Sequence, residues 1–487
     1  MKSFKRRAFV GMGLGTTAAV LLSQCSKSRT LGSNVGLTPI IPSKGGLLNL
    51  DLEANHKKVF FGDRQGNLLS FNGLIPGPRL EAKPGDTVQI TLINRLNQPT
   101  NLHYHGLHIT PQGNGDNIFL SVPPGERLTY KFTLPKTHPG GTFWYHPHHH
   151  GHVAEQVFGG LAGLFIVRGE LDELPEIKAA REEFIVLQDF DINPGMPSPM
   201  ARMLGREGPI VTINGQVNPK LAIPKGGLLR LRLLNASPSR FYKLKLEEHS
   251  FQLIATDGGA IAAPIELQEI LLAPGERVEV LVKGDREPGQ YRLVNIPYNR
   301  GGMVMMGGPI GMGHMRGGMD QTNLQTQEAQ PLATLTYEGT VSPLPLPQKL
   351  IPVEALAAPN VTRPIEMSMA MGPGMTIAFL FNGQTFDEQR SDINSKLNTI
   401  EEWELTNVNS GRIAHPFHLH TNPFQIMSRN GQSEPYRAWK DTVLVKSNET
   451  VRIRIPFRTF TGKTVYHCHI FDHEDLGMMG TVNIQSA

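Results

Sequence analysis

Phe71-Asn72-Gly73, with Leu80-Glu81-Ala82-Lys83-Pro84-Gly85-Asp86-Thr87-Val88 just downstream, is a stretch that the 487-residue chain repeats. Ile213-Asn214-Gly215 with Leu221-Ala222-Ile223-Pro224-Lys225-Gly226-Gly227 is a second copy, and Phe381-Asn382-Gly383, leading into residues 401–409, is a weaker third. Further on, Pro124-Gly125-Glu126-Arg127 recurs as Pro274-Gly275-Glu276-Arg277, with Ser447-Asn448-Glu449-Thr450 in the matching place. An alternating apolar run follows each, as in Val451-Arg452-Ile453-Arg454-Ile455, the pattern of a half-buried antiparallel strand. Self-similarity of this kind marks a duplicated unit, and length alone allows about three domains. With 51 Gly, 37 Pro and 18% charged residues, strands and turns are expected to outweigh helices. The expectation is an all-β chain of three Greek-key β-sandwiches, spanning 45–172, 182–340 and 360–487.

The strand after each alternating run separates the copies. The first reads Gly141-Thr142-Phe143-Trp144-Tyr145-His146 and the third Gly462-Lys463-Thr464-Val465-Tyr466-His467, while the second, Gly289-Gln290-Tyr291-Arg292-Leu293-Val294, has no histidine. Of 18 histidines, nine lie between His103 and His152 and six between His415 and His473. They concentrate in His103-Tyr104-His105-Gly106, His146-Pro147-His148, His415-Pro416-Phe417-His418-Leu419-His420 and His467-Cys468-His469, the last followed by His473 and Met478. In a strand, residues i and i+2 share a face and i+1 takes the other. Each His-x-His therefore presents two imidazoles side by side. An isolated pair is more often a solvated strand; four such motifs, one with a cysteine at its centre, are not.

In His467-Cys468-His469 the thiolate faces away from both imidazoles. With His473, Met478 and the distant His415 it makes a His2Cys trigonal set with a weak axial thioether, which selects copper over zinc or iron. The histidines of the other face, joined by those of the first copy, offer eight neutral nitrogens, enough for three coppers with positions left for O2.

These four motifs, in this order, resemble those of the multicopper oxidases over roughly residues 45–487. The resemblance implies cupredoxin-like domains, four coppers, and a reaction in which a reducing substrate gives up electrons singly while O2 becomes water. It implies a type 1 copper on His415, Cys468, His473 and Met478. A type 2 copper would take His103 and His418, and a type 3 pair His105, His146, His148, His420, His467 and His469. Asp116 and Glu474 resemble acids of that family that deliver protons to the cluster; a turn former and a solvated surface acid are the plainer alternatives. Asp441, in Trp439-Lys440-Asp441-Thr442, is likened to an acid near the type 1 site that binds a substrate cation or accepts a phenolic proton. His56, His108, His138, His149, His150, His152, His249 and His314 are read as surface or supporting residues.

Methionine is uneven as well. Met303, Met305, Met306, Met312, Met315 and Met319 crowd one Gly-rich stretch, and Met367, Met369, Met371 and Met375 another. Thioethers favour Cu(I), so cuprous ion capture is the functional reading and a loose lid over the substrate face the alternative. The candidate donors are a phenol, an aromatic amine or Cu(I). Copper sequestration without useful turnover, or a structural role like that of exported division proteins of this resemblance, would be the competing functions; the complete ligand set argues against the second.

Lys2 to Arg7 is basic, residues 8–24 carry no charge, and Arg6-Arg7-Ala8-Phe9-Val10 reads as a twin-arginine export signal within a segment at 1–30. Leu22-Ser23-Gln24-Cys25 resembles a lipoprotein cleavage site, which would make Cys25 a lipid anchor. Cys25 and Cys468 are the two cysteines, so a disulfide framework is excluded and a single buried thiol needs another purpose. A net charge of +4 with no basic stripe argues against nucleic acid. An exported monomer on the periplasmic or envelope side is expected.

Overall fold

The three Asn-Gly pairs fold identically. Asn72, Asn214 and Asn382 have φ of 52°, 51° and 49°, and the glycines after them 70°, 74° and 74°. Two successive left-handed residues make the tight hairpin turn whose twist suits flanking strands, and bridges Phe71 to Leu74, Ile213 to Gln216 and Phe381 to Gln384 close it. Each asparagine Oδ1 also accepts a neighbouring strand's amide, from Glu53, Val186 and Glu366 at 2.6, 2.9 and 2.7 Å. The second repeated turn is equally regular. Gly125, Gly275 and Asn448 donate their amides to the carbonyls of Asn94, Asn235 and Asn407 at 2.9, 3.0 and 2.9 Å.

Around these turns the chain builds three β-sandwiches, each of two sheets. The computed structural model describes residues 38–61, 64–300, 328–372, 377–408 and 413–487. The expected signal segment, Cys25, His314, Met375 and the stretch holding Met303, Met305, Met306, Met312, Met315 and Met319 lie outside the described residues. One sheet of every sandwich has the same centre: a parallel pair followed by an antiparallel strand. In the first sandwich these are Leu47–Phe61, Thr87–Asn94 and Arg127–Thr133; in the second, Arg181–Phe190, Leu228–Asn235 and Arg277–Lys283; in the third, Val361–Met371, Thr399–Asn407 and Thr450–Phe457. The facing sheets place Gly141–His146, Gln290–Ile296 and Gly462–Cys468 at equivalent positions, each antiparallel between two neighbours. Strands dominate as expected, and no described helix exceeds six residues.

Each sandwich closes on its own apolar core. The first is built around Phe71, Ile90, Tyr104, Phe143 and Phe165, the second around Leu231, Tyr242, Ile254 and Leu335, and the third around Trp403, Phe417, Phe457 and Tyr466. A further cluster crosses from one sandwich to the next: Trp144, Val157 and Leu164 of the first pack with Val186 and Leu234 of the second and Phe471 of the third. At Gly215 a Cβ would lie 2.4 Å from the Ile75 carbonyl oxygen of the first sandwich, on a backbone already left-handed at φ +74°. Gly215→Ala is expected to cost about 1–3 kcal/mol, read as a lower thermal midpoint; an unchanged midpoint would refute the strain assigned to this turn.

Candidate metal centres

The strand Gly462–Cys468 carries the site because its side chains alternate. Tyr466 and Cys468 face the third sandwich's core, whereas Val465 and His467 face away from it. His415–Leu419 lies antiparallel beside it, pairing Phe417 with Cys468 and His418 with His467. His415 and His418, three residues apart, therefore point to opposite sides. In the first sandwich His103–His105 pairs with Gly141–His146, which sets His103 against His146.

On the core side, Cys468 Sγ lies 3.4 Å from His415 Nδ1 and 3.6 Å from His473 Nδ1, and those two nitrogens are 3.2 Å apart. On the other side, His467 Nε2 is 3.1 Å from both His148 Nε2 and His420 Nε2, and His469 Nε2 is 3.3 Å from His105 Nδ1. Donor atoms of His103, His418 and His420 gather within 4.8 Å of one another, as do those of His103, His105 and His146, of His148, His420 and His467, and of His415, Cys468 and His473. Thus eight imidazoles from two sandwiches meet in one place, and a separate His2Cys set stands behind Cys468.

Every one of these side chains is buried. Burial first, and crowding by the other imidazoles second, hold His103 and His469 well below the usual histidine range; burial alone pushes His415 down to about 3. Neutral rings are the ligating form. Four of the rings have an outer nitrogen occupied: His103 Nδ1 meets Asp116 Oδ1 at 2.8 Å, His146 Nδ1 the Pro147 carbonyl at 2.9 Å, His418 Nδ1 the Asp441 carbonyl at 2.8 Å and His473 Nε2 the Met203 carbonyl at 2.9 Å. The opposite Nε2 atoms of His103, His146 and His418 are buried without a hydrogen-bond partner. Each such orphan costs about 1–3 kcal/mol, and a convergent set of them is what a metal ion satisfies. Imidazole, thiolate and thioether together suit copper. Burial also pushes the Cys468 thiol up; coordination would remove that proton.

The carboxylates divide. Asp116 accepts the Tyr104 amide at 2.9 Å besides touching His103, and burial raises it to about 7. Glu474 lies 3.1 Å from His467 Nδ1 and 3.5 Å from His148 Nδ1. Neither is a simple turn former or a solvated acid. Asp441 is not beside the His2Cys set as expected. Its neighbour Thr442 pairs with His418, and His415 pairs with Val445, about 10 Å further along the strand at 3.4 Å per residue. Asp441 is buried, 3.0 Å from His105 Nε2, and clamped by Arg277 at 2.7 and 2.6 Å. A carboxylate so enclosed meets no substrate cation.

Met478 packs in the core cluster that holds Cys468, whereas Met479 packs with Ile118 and Val465 on the histidine side. Among the other histidines, His56 and His150 are exposed, while His138 is buried and accepts the His108 amide at 3.0 Å. Three residues escaped the sequence reading. Trp144 stacks on His146 with centroids 4.1 Å apart, Met203 caps His473, and Arg277 holds Asp441. Arg277 alone left a signal, as the last residue of a repeated turn.

Three family models described as multicopper oxidase match residues 358–487, 53–172 and 191–313. The chain belongs to the multicopper oxidases. The family couples oxidation of a substrate to reduction of O2 and implies copper as cofactor. A multicopper oxidase of Staphylococcus haemolyticus is 32% identical over 90% of this chain and 89% of its own. The cell division protein FtsP of Proteus mirabilis is 28% identical over 99% of each. Among solved structures, a Campylobacter jejuni multicopper oxidase described as a metallo-oxidase aligns with TM-score 0.79 and 29% identity over 94% of this chain and 95% of its own. A Pediococcus acidilactici laccase aligns with TM-score 0.77 and 29% identity over 93% of each. This multicopper oxidase has no described helix long and apolar enough to cross a membrane.

Cys468 is the one free cysteine among the described residues and is fully buried. In the copper-free protein carrying Cys25→Ser, a thiol reagent is expected to find no reactive sulfur until denaturant is added. Reaction at the rate of a free cysteine would contradict the buried placement.

Proposed function

We propose that this multicopper oxidase binds four coppers. One is held by His415, Cys468, His473 and Met478, one by His103 and His418, and a pair by His105, His146, His148, His420, His467 and His469. The sandwich boundaries we adopt are 45–172, 182–340 and 360–487. The observation that carries the reading is the single tripeptide His467-Cys468-His469, whose sulfur sits with His415 and His473 while its imidazoles sit with His148, His420 and His105. The bound coppers would supply one-electron acceptance behind Cys468 and four-electron O2 reduction among the eight imidazoles.

The protein's own groups then have defined tasks. The backbone between Cys468 and its two neighbours is the shortest covalent route from one centre to the other. Asp116 Oδ1, on His103 Nδ1, and Glu474, on His467 and His148, stand where protons must be handed to reduced oxygen. His473 Nε2 is capped by the Met203 carbonyl in the helix Pro199–Leu204, which orients the ring, and a donor on that side would pass its electron to a copper held there. A cavity of about 610 Å³, lined in part by Met196, Arg202, Arg206 and Asp472, opens beside the same helix and offers an organic donor a docking place.

A phenol, an aromatic amine or Cu(I) are the donors we propose, with Cu(I) captured by the methionines between 303 and 319. The names of the relatives, a metallo-oxidase and a laccase, support one donor class each. Likeness to FtsP over its whole length favours a ligand-free structural role as the second reading; the converging unpartnered nitrogens count against it. We further propose export by the amino-terminal segment, with Cys25 as a lipid anchor, and a monomeric state.

Oxygen uptake by copper-loaded protein, with a phenol or Cu(I) as donor and copper counted on the same sample, tests the function. Cys468→Ser is expected to abolish both the intense blue absorption and oxygen uptake while leaving the folded state; unchanged colour would defeat the type 1 assignment. Deleting 303–319 should lower cuprous oxidation more than phenol oxidation, and equal losses would favour a lid.

A further inference from the structure

Arg277 comes from the sandwich that supplies none of the histidines above, yet its guanidinium is fully buried against them. All five of its N–H donors are used. Nε donates to the Thr142 carbonyl of the first sandwich at 2.9 Å. Nη1 donates to the Gly275 carbonyl at 3.2 Å and to Asp441 Oδ1 at 2.7 Å. Nη2 donates to the Asp257 carbonyl at 2.8 Å and to Asp441 Oδ2 at 2.6 Å. One planar fork therefore joins all three sandwiches. A lysine, with three donors on one nitrogen, cannot reproduce it.

The far side of Asp441 meets the cluster. Its Oδ1 accepts from Thr442 Oγ1 at 2.9 Å and from His105 Nε2 at 3.0 Å, and its backbone carbonyl accepts from His418 Nδ1 at 2.8 Å. Those two hydrogen bonds decide which nitrogen of each ring carries the proton. They leave His105 Nδ1, the atom facing His469, and the unpartnered His418 Nε2 as bare lone pairs. Space is tailored to the same pair. A Cβ at Gly106, directly after His105, would lie 2.3 Å from Arg277 Nη2 and 2.5 Å from Asp441 Oδ2. A Cβ at Gly275, in the turn that ends at Arg277, would lie 2.6 Å from His469 Nε2.

We infer that Arg277 is a positioning residue of the histidine cluster: its bidentate grip on Asp441 fixes the tautomer and aim of His105 and His418, so the sandwich without ligands completes the site. The inference rests on the copper reading above. Loss of a partner behind a metal-bound histidine weakens metal binding by about 10- to 100-fold.

The test is copper binding by Arg277→Lys and Asp441→Asn, each titrated against a copper chelator, with the type 2 electron paramagnetic resonance spectrum and the type 1 blue absorption recorded on every sample. Lysine keeps the charge and loses the fork; asparagine keeps the shape and turns an amide toward Arg277. Both variants are expected to keep the blue absorption while releasing cluster copper at about 10- to 100-fold lower chelator concentration, with an altered type 2 spectrum. Wild-type affinity and spectrum in Arg277→Lys would overturn the inference, since charge alone would then suffice. Should Arg277→Lys lose the blue absorption too, Asp441→Asn decides, and full cluster copper there overturns it. A wild-type protein that takes up no copper would instead remove the reading beneath it.

Discussion

Two-residue periodicity along one strand governs this molecule. Because successive side chains of Gly462–Cys468 leave opposite faces, a sulfur and its two flanking imidazoles cannot share a cavity. The fold must therefore provide two. The core of the third sandwich supplies the first, with His415 and His473 around Cys468. The outer face of the same sheet supplies the second, and it has too few histidines to fill it. The deficit is met by His103, His105, His146 and His148, more than 300 residues earlier in the chain, so the first and third sandwiches must abut.

Meeting has an electrostatic cost that burial alone would make severe. Water is excluded from eight crowded imidazoles, so a protonated ring would be isolated among its neighbours, and burial holds His103 and His420 well below the usual histidine range. The inward Nε2 atoms of His103, His146 and His418 then lack partners, whereas their Nδ1 atoms are tied to Asp116 and to the Pro147 and Asp441 carbonyls. In those three rings satisfaction lies outside the cluster and vacancy inside it. The same geometry that would destabilise an apo-protein therefore prepares it for a cation.

What the sequence disclosed follows from what short motifs can encode. The triplicated turns at Asn72, Asn214 and Asn382 were readable because an Asn-Gly pair suits two successive left-handed residues. The histidine motifs were readable because strand alternation converts spacing into direction. Asp441 was misplaced, since its neighbourhood depends on which end of His415–Leu419 its strand pairs with, and register is not written in the local sequence. Met203 and Trp144 were invisible for a related reason. A carbonyl cap and a ring stack are tertiary events with no pattern of their own. Arg277 sits between these cases: its turn repeats, but Arg127 in the equivalent first turn is exposed, and only packing separates the two.

Apolar cores would not by themselves fix the angle between sandwiches, because hydrophobic contact is non-directional. Directional contacts do so here. Arg230 and Arg232 of the second sandwich reach Asp172 at 2.7 and 2.5 Å, Arg168 of the first reaches Glu182 of the second at 2.9 Å, and Glu279 accepts from Thr142 Oγ1 of the first at 2.8 Å. Buried ion networks add little net stability, since desolvation offsets most of the Coulomb gain. Their worth is geometric. Thr142 belongs to that network through its hydroxyl and, through its carbonyl, to the Arg277 fork beside His105. The hinge of the sandwiches and the aim of the histidines thus share one residue, and a slip between domains would be felt as a misdirected imidazole.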